Sequence, residues 1–132
     1  MKQKNDKLAL FILRIGLGVF LLLWAIDKLV APDSTVKIFQ MFYNIPITLN
    51  VAFIVGIAEA ILAIAIMTGM WKQWSYGLGL AAHTISVLSS YKQHLDPFGK
   101  NHLFIAGLPV LAAFIALYML RDKDTLWSLG EK

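Results

Sequence analysis

The chain has 132 residues, of which 58% are hydrophobic and 15% are charged, and its net charge is +4 at pH 7. Soluble domains average about 45–50% apolar and about 25% charged residues, so this composition predicts an integral membrane protein. The cations lie at the ends of apolar segments and indicate contact with the lipid bilayer, not with nucleic acid. The absence of cysteine excludes disulfide exchange, thiolate metal sites and iron–sulfur clusters within this chain.

The first apolar segment, residues 8–30, is long enough to cross a bilayer and contains two cations. About 20 apolar residues in a helix cover about 30 Å, which is the thickness of the hydrocarbon layer. Arg14 and Lys28 fall on one helical face with small residues between them, which is typical of a stripe turned toward other helices. The connector that follows contains Pro32 and several aromatic residues, and it predicts a short helix lying in the membrane interface.

The second segment, residues 46–70, is apolar apart from Glu59 near its middle. A lone carboxylate at that depth costs several kcal/mol unless it is paired or neutral. Arg14 lies about 7.5 Å from the middle of its own segment, and an arginine side chain covers most of that distance. We therefore expect Arg14 to pair with Glu59. Gly18 and Gly56 flank this predicted contact and would let the two backbones approach closely.

The third segment, residues 74–91, carries the most polar helical face of the chain. Tyr76, His83 and Ser90 recur on this face at helical spacing, and aliphatic residues occupy the opposite side. Because polar groups need partners within a membrane, we expect the polar face to point inward and the aliphatic side to face lipid. Tyr76, His83 and Ser90 therefore favour a proton path or contacts to the polar head group of a ligand.

Arg14, Glu59 and His83 form the candidate buried polar network, because each lies near the middle of its segment. Ionisable groups within a membrane are functional by default, although an arginine–glutamate pair also fixes helix register and a lone histidine also packs in cores. No metal site is predicted. His94 and His102 lack a third ligand, and no second histidine faces His83 as an axial pair for haem would require.

The fourth segment, residues 102–120, contains Pro109, which predicts a kink. Four crossings place both termini on one side of the membrane. That side carries Lys2, Lys4, Lys7, Lys72, Arg121, Lys123 and Lys132, and the other carries Lys28, Lys37, Lys92 and Lys100. This excess predicts that both termini are cytoplasmic. The chain is thus predicted to be a single transmembrane domain over residues 1–132, an all-α bundle of four transmembrane helices with a short interfacial helix after the first.

Two stretches of the chain carry a family resemblance. The first is LRIGLGVFLLLWAIDKLVAPD, with Arg14 and Lys28, and the second is GIAEAILAIAIMTG, with Gly56 and Glu59. With these motifs the sequence resembles the DoxX/DoxD-like family of small four-helix bacterial membrane proteins. The resemblance implies a multi-pass protein of the bacterial inner (cytoplasmic) membrane. That family takes its name from proteins linked to membrane quinone reactions, including a thiosulfate:quinone oxidoreductase subunit, and other members are associated with oxidative-stress complexes.

Three functions are compatible with these residues, and each allows a homo-oligomer. The first is a membrane subunit of a quinone-linked oxidoreductase system, in which Glu59 and His83 donate protons to the quinone and Arg14 orients Glu59. In this hypothesis Tyr76, His83 and Ser90 are candidate contacts for the quinone or for a lipid head group. A redox partner subunit supplies the electrons, because this sequence has no haem, flavin or iron–sulfur motif. The second is a proton-coupled transporter or exporter of small amphipathic molecules, a cycle for which a glutamate held by arginine is poorly suited. The third is a non-catalytic membrane assembly protein.

Overall fold

The computed structural model describes residues 2–130, and this part of the chain contains helices and turns but no β-strand. The four longer helices are α1 (Lys2–Val30), α3 (Leu49–Thr68), α4 (Lys72–Ser89) and α6 (Gly107–Met119). Two short helices lie in the connections, α2 (Pro32–Ile38) and α5 (Tyr91–Leu95). A π-helical turn follows α2 at Phe39–Tyr43, and 3₁₀ segments precede and follow α6 at Gly99–Ala106 and Arg121–Lys123. The predicted all-α class is confirmed.

Three segments of the described residues are long and apolar enough to cross a membrane, namely Lys4–Val30, Leu49–Thr68 and Gly99–Met119. The third predicted crossing, residues 74–91, corresponds to α4 and is not among them. The reason is the buried polar face of α4, which includes Lys72, Ser75 and His83 and lowers the mean hydropathy of the helix. α4 nevertheless packs in the bundle, between α3 and α6.

α1 and α3 form the most extensive helix pair, and two glycines allow their close approach. A Cβ atom at Gly18 would lie 3.2 Å from the carbonyl oxygen of Ala63. A Cβ atom at Gly56 would lie 2.9 Å from the Cβ atom of Lys28 and 3.3 Å from the carbonyl oxygen of Ala25. The close approach predicted at both glycines is confirmed. The two helices run antiparallel, so the middle of α1 faces the late part of α3.

The polar face of α4 points inward, as predicted. The exposed fraction is 0% for Tyr76 and 6% for His83, whereas Leu78, Ile85 and Leu88 on the opposite side are exposed. The hydrophobic core lies between α1, α3, α4 and α6 and comprises Leu10, Leu17, Leu21, Ala63, Ile66, Tyr76, Phe114 and Leu117. The inward face of α4, which is polar and aromatic, therefore packs this helix against the rest of the bundle.

Two segment boundaries differ from the predicted ones for identifiable reasons. α3 begins at Leu49, three residues after the predicted start, because the Thr48 side chain accepts a hydrogen bond from the backbone N–H of Val51 and caps the helix. Pro109, where a kink is predicted, lies in the first turn of α6, after a 3₁₀ segment. The chain is 3₁₀ up to Ala106 and α-helical only from there on, since Pro109 has no N–H for the carbonyl four residues earlier.

Candidate functional site

The side chain of Arg14 is completely buried where α1 meets the C-terminal segment. Its Nη1 atom lies 2.5 Å from Oδ1 of Asp124. Its Nη2 atom donates to the carbonyl oxygens of Leu126 at 2.6 Å and Trp127 at 2.8 Å. Its Nε atom donates to the carbonyl oxygen of Met67 at 3.1 Å. All three guanidinium nitrogens therefore have protein partners, which is what a buried arginine requires.

Two residues of α4 complete the surroundings of Asp124. The Tyr76 hydroxyl donates to Oδ2 of Asp124 at 2.5 Å, and Lys72 donates from Nζ to the Asp124 carbonyl oxygen. The exposed fraction of each of these four residues is 0%. We refer to Arg14, Lys72, Tyr76 and Asp124 as the Arg14–Asp124 cluster. The cluster joins α1, α4 and the C-terminal segment, and it is closed to solvent.

The predicted pairing of Arg14 with Glu59 is wrong. The guanidinium of Arg14 is level with Met67 on α3, and Glu59 lies two helical turns, or about 12 Å, further along that helix. This axial register follows from the packing of Gly18 against Ala63, which places the whole α1–α3 pair. An arginine side chain cannot cover that distance while also bonding to the C-terminal segment.

Asp124 is a site residue that the sequence analysis did not identify. The available signal was the apolar pair Leu126 and Trp127, which follows Asp124 after one threonine. In the structure the Trp127 ring packs edge-on against Phe11, with ring centres 4.8 Å apart. The C-terminal segment is thus held on α1 by an apolar contact as well as by the arginine.

Glu59 pairs instead with Lys28, across the α1–α3 contact. Nζ of Lys28 lies 3.1 Å from Oε2 and 3.4 Å from Oε1 of Glu59. The two side chains are 14% and 20% exposed respectively, and Nζ lies 5.7 Å from the centre of the Trp24 ring. Partly exposed ion pairs are held weakly compared with buried ones. We refer to this contact as the Lys28–Glu59 pair, and it is accessible to a ligand.

The Lys28–Glu59 pair lies on the wall of a cavity of about 900 Å³. The walls are formed by α1, α2, α3, α4 and the 3₁₀ segment before α6, and they are mostly apolar. The aromatic residues on these walls are Phe20, Trp24, Phe39, Phe42, Tyr43 and Phe104. The polar ones outside the ion pair are Asp27, Thr35, His83, Ser86, Ser89, Ser90 and His94. An apolar pocket with a few convergent polar groups is the usual form of a small-molecule site.

His83 is fixed on the cavity wall by a hydrogen bond and two aromatic neighbours. Its Nε2 atom lies 2.9 Å from the carbonyl oxygen of Gly107, at the start of α6. The ring of Phe20 meets the imidazole edge-on at 5.6 Å, and that of Phe114 lies at 5.5 Å with a 30° tilt. The imidazole therefore has one orientation, which is what a positioned binding or proton-transfer group needs.

A second polar group lies at the junction of α4 and α5. The Ser90 hydroxyl donates to the carbonyl oxygen of Ser86 at 2.8 Å, and Nδ1 of His94 lies 2.9 Å from the carbonyl oxygen of Ser90. Two buried polar atoms have no hydrogen-bond partner among the described residues, Nε2 of His94 and Oγ1 of Thr35. Both residues belong to the cavity wall. Unsatisfied buried polar atoms are rare, so this part of the wall is suited to meeting a ligand.

The structure therefore brings together some of the predicted site residues and separates others. Glu59, His83 and Ser90 lie on the wall of one cavity. Arg14 and Tyr76 lie in the Arg14–Asp124 cluster, so the three-residue network predicted from the sequence is divided between two places. Across residues 2–130, no three His, Cys, Asp or Glu side chains lie close enough together to hold a metal ion.

One comparison with known proteins covers most of the residues of this site. A family model described as DoxX matches residues 9–93, more than half of the chain. The matched range contains Arg14, Lys28, Glu59 and His83, and it ends before α6 and Asp124. No curated protein and no solved structure matches the chain. The chain, with its several apolar helices, belongs to the DoxX family of membrane proteins.

Proposed function

We propose that this protein is a membrane subunit associated with a quinone-linked oxidoreductase system, and that its cavity holds the quinone ring. The observation that carries the proposal is the cavity of about 900 Å³, with aromatic walls and a small set of polar groups. Pockets of about 300–1,000 Å³ with this distribution of apolar and polar surface bind small molecules. The ring of a quinone is apolar at its faces and polar only at its two oxygens, which matches this wall.

The polar groups of the wall are suited to proton transfer at a ring oxygen. Interconversion of a quinone and its dihydroxy form adds or removes a proton at each ring oxygen, and a group that gives or takes this proton must be within hydrogen-bond reach. Lys28 and Glu59 form an ion pair on the wall. His83 lies on the neighbouring helix α4, and a hydrogen bond fixes its ring. This chain contains no cysteine and its sequence shows no flavin or haem motif, so in this proposal a partner subunit supplies the electrons.

The proposal includes an arrangement in the membrane. α4 crosses as a fourth helix, supported by its packing between α3 and α6 and by the exposed Leu78, Ile85 and Leu88 on its outer side. Residues 1–132 then form a single four-helix domain in the bacterial inner membrane, with α2 at the interface. The lysine and arginine excess favours cytoplasmic termini. A reporter fused at the C-terminus that is active only outside the cell would contradict this orientation.

Quinone binding can be tested through the tryptophans of the full-length protein in detergent. Trp24 is on the cavity wall, whereas the exposed Trp74 lies in the first turn of α4 and is not on that wall. Decyl-benzoquinone should quench the fluorescence of the wild type. Trp24→Phe should remove most of the ligand-dependent change, and Trp74→Phe should retain it. Failure of any quinone to bind, or quenching that is insensitive to Trp24→Phe, would contradict the proposal.

One observation favours a second candidate, a proton-coupled transporter of small amphipathic molecules. Glu59 is paired with a partly exposed lysine beside a cavity, not with a buried arginine, so a substrate can displace its partner. A cationic substrate that takes the place of Lys28 at Glu59 leaves the ammonium without its counter-charge, and the lysine can then lose its proton. This candidate therefore predicts substrate-dependent proton release from the purified protein, abolished in Glu59→Gln and retained in Asp33→Asn, an exposed carboxylate on α2. Quinone binding without proton release would favour the oxidoreductase subunit. A protein that neither binds quinone nor releases protons would leave the role of a membrane assembly protein.

A further inference from the structure

The hydrogen bonds of the two cavity histidines determine which ring nitrogen carries the proton. Nε2 of His83 faces the carbonyl oxygen of Gly107, and Nδ1 of His94 faces the carbonyl oxygen of Ser90. A carbonyl oxygen only accepts, so each of these nitrogens is the N–H donor of its ring. In the neutral rings the remaining nitrogens, Nδ1 of His83 and Nε2 of His94, keep a lone pair and are hydrogen-bond acceptors.

The other polar groups on this wall are also rich in acceptors. The Ser90 hydroxyl uses its hydrogen on the carbonyl oxygen of Ser86, which leaves Oγ with lone pairs only. The Glu59 carboxylate presents two oxygens, and the Lys28 ammonium group is the cation that faces them. Thr35, 1% exposed and without a hydrogen-bond partner for Oγ1 among the described residues, can donate or accept. Among these groups the Lys28 ammonium is a donor and Thr35 can be one, and the remaining fixed atoms are acceptors.

We propose that the cavity selects the reduced, dihydroxy form of a quinone-type ring over the oxidised, dicarbonyl form, with His94 as the specificity-determining residue. This inference rests on the proposed function, in which the ligand is a quinone. A ring hydroxyl can donate to Nε2 of His94, which is buried and has no partner within residues 2–130. A quinone carbonyl only accepts, so it would set lone pairs against lone pairs and leave the histidine unsatisfied.

Gly107 lies directly against the free nitrogen of His94. A Cβ atom on Gly107 would lie 3.1 Å from Nε2 of His94 and 3.6 Å from Cγ2 of Val87, and all three residues are on the cavity wall. A side chain at this position would therefore crowd the free nitrogen. His94 is also placed from its other side, where the ring of Phe104 meets it edge-on with centres 6.2 Å apart. The acceptor is thus held in one orientation by its neighbours.

The test compares three probes with the same decyl tail on the full-length protein in detergent under argon. They are the benzene-1,4-diol, the corresponding 1,4-benzoquinone and the 1,4-dimethyl ether of the diol. We expect calorimetric titration to show the diol binding about tenfold more tightly than the other two, since an unsatisfied buried acceptor costs about that factor or more. The ether has the shape of the diol without its donors, so it separates hydrogen bonding from ring shape.

Variants locate the preference. His94→Phe keeps a ring but removes the acceptor, and it should reduce the diol-to-quinone affinity ratio to near one. Gly107→Ala should weaken the diol more than the quinone. His102→Phe is the matched control, because His102 is exposed and outside the cavity wall, and it should keep the wild-type ratio. The wild-type comparison needs no variant, so a misfolded His94→Phe protein would not prevent a decision.

The outcomes separate this inference from the proposed function. Equal binding of diol and quinone by the wild type overturns the selectivity and leaves quinone binding established. Tighter binding of the quinone or of the ether also overturns it. A preference for the diol that survives His94→Phe overturns the assignment to His94. If none of the three probes binds, both the proposed function and this inference are wrong.

Discussion

The Arg14–Asp124 cluster and the Lys28–Glu59 pair use the same chemistry in opposite surroundings. In the Arg14–Asp124 cluster both charges are completely buried, and every guanidinium nitrogen is bonded to protein. In the Lys28–Glu59 pair both side chains are partly exposed and lie on the wall of a cavity. A closed, fully satisfied pair can only hold helices together, whereas an open one can exchange its partner for a ligand. Burial, more than residue type, distinguishes the two pairs in this bundle.

The largest expected effect comes from breaking the closed cluster. Asp124→Asn removes the only carboxylate within residues 2–130 that contacts Arg14, and it leaves the buried guanidinium without that counter-charge. We expect the free energy of unfolding in detergent to fall by about 3 kcal/mol or more. Asp122→Asn, at an exposed position two residues away, should change it little. A loss below about 1 kcal/mol for Asp124→Asn would mean that the cluster is not a structural element.

A double-mutant cycle should give the next largest effect, and it tests which carboxylate is the partner of Arg14. Arg14→Gln and Asp124→Asn should together cost less than the sum of the single changes, with a coupling energy of about 1–3 kcal/mol. Arg14→Gln and Glu59→Gln should add within about 0.5 kcal/mol, because these residues have different partners. The measurement is the unfolding free energy of each single and double variant. Coupling between Arg14 and Glu59, with additivity between Arg14 and Asp124, would show that Glu59 is the partner of Arg14.

A smaller loss of stability is expected from a change at Gly18, where α1 and α3 approach each other. A Cβ atom at Gly18 would contact the Met67 side chain and lie 3.2 Å from the Ala63 carbonyl oxygen. Gly18→Ala should therefore lower the unfolding free energy by about 1–2 kcal/mol. Gly16→Ala is the matched control on the same helix, because a Cβ atom there would have no neighbour within 4 Å. Equal stability of the two variants would show that close packing at Gly18 does not fix the register.

The smallest expected change in stability concerns the open pair. Glu59→Gln should lower the unfolding free energy by less than about 1 kcal/mol, because the pair is partly exposed and Lys28 can remain in contact with water. The same variant should alter binding of quinone-type probes, since its carboxylate is on the cavity wall. A stability loss as large as that of Asp124→Asn would show that the open pair is also structural.

Helical periodicity was sufficient to predict the local structure. The inward polar face of α4 follows from the spacing of Tyr76, His83 and Ser90, and the close α1–α3 contact follows from two glycines. The uneven distribution of apolar residues also predicted the last residues of the long helices to within about two positions, whereas their first residues differ from the predicted ones by about two to six positions. What these features share is that each depends on residues near one another in sequence or on a single helix face.

The partners of the charges could not be predicted in the same way. They depend on the axial register of α1 against α3, and a shift of two helical turns exchanges one partner for another. They also depend on the C-terminal segment folding back onto α1, which no periodic pattern marks. Asp124 lies in an irregular stretch, so neither a helical wheel nor hydropathy identifies it as buried. The cavity depends on both features, since the register decides that Glu59 faces open space and not a guanidinium.

The contact between Arg14 and Asp124 joins positions that are 110 residues apart, and this has a consequence for synthesis of the chain. At about 5–20 residues per second, a ribosome delivers Asp124 about 5–20 s after Arg14. During that interval the first helix holds an arginine whose final partners do not yet exist. The pairing of Arg14 therefore depends on whether synthesis has passed Asp124, because a chain that stops before Asp124 keeps an uncompensated charge in its first helix. Membrane quality control that recognises exposed intramembrane charge would distinguish finished from unfinished molecules by this one arginine.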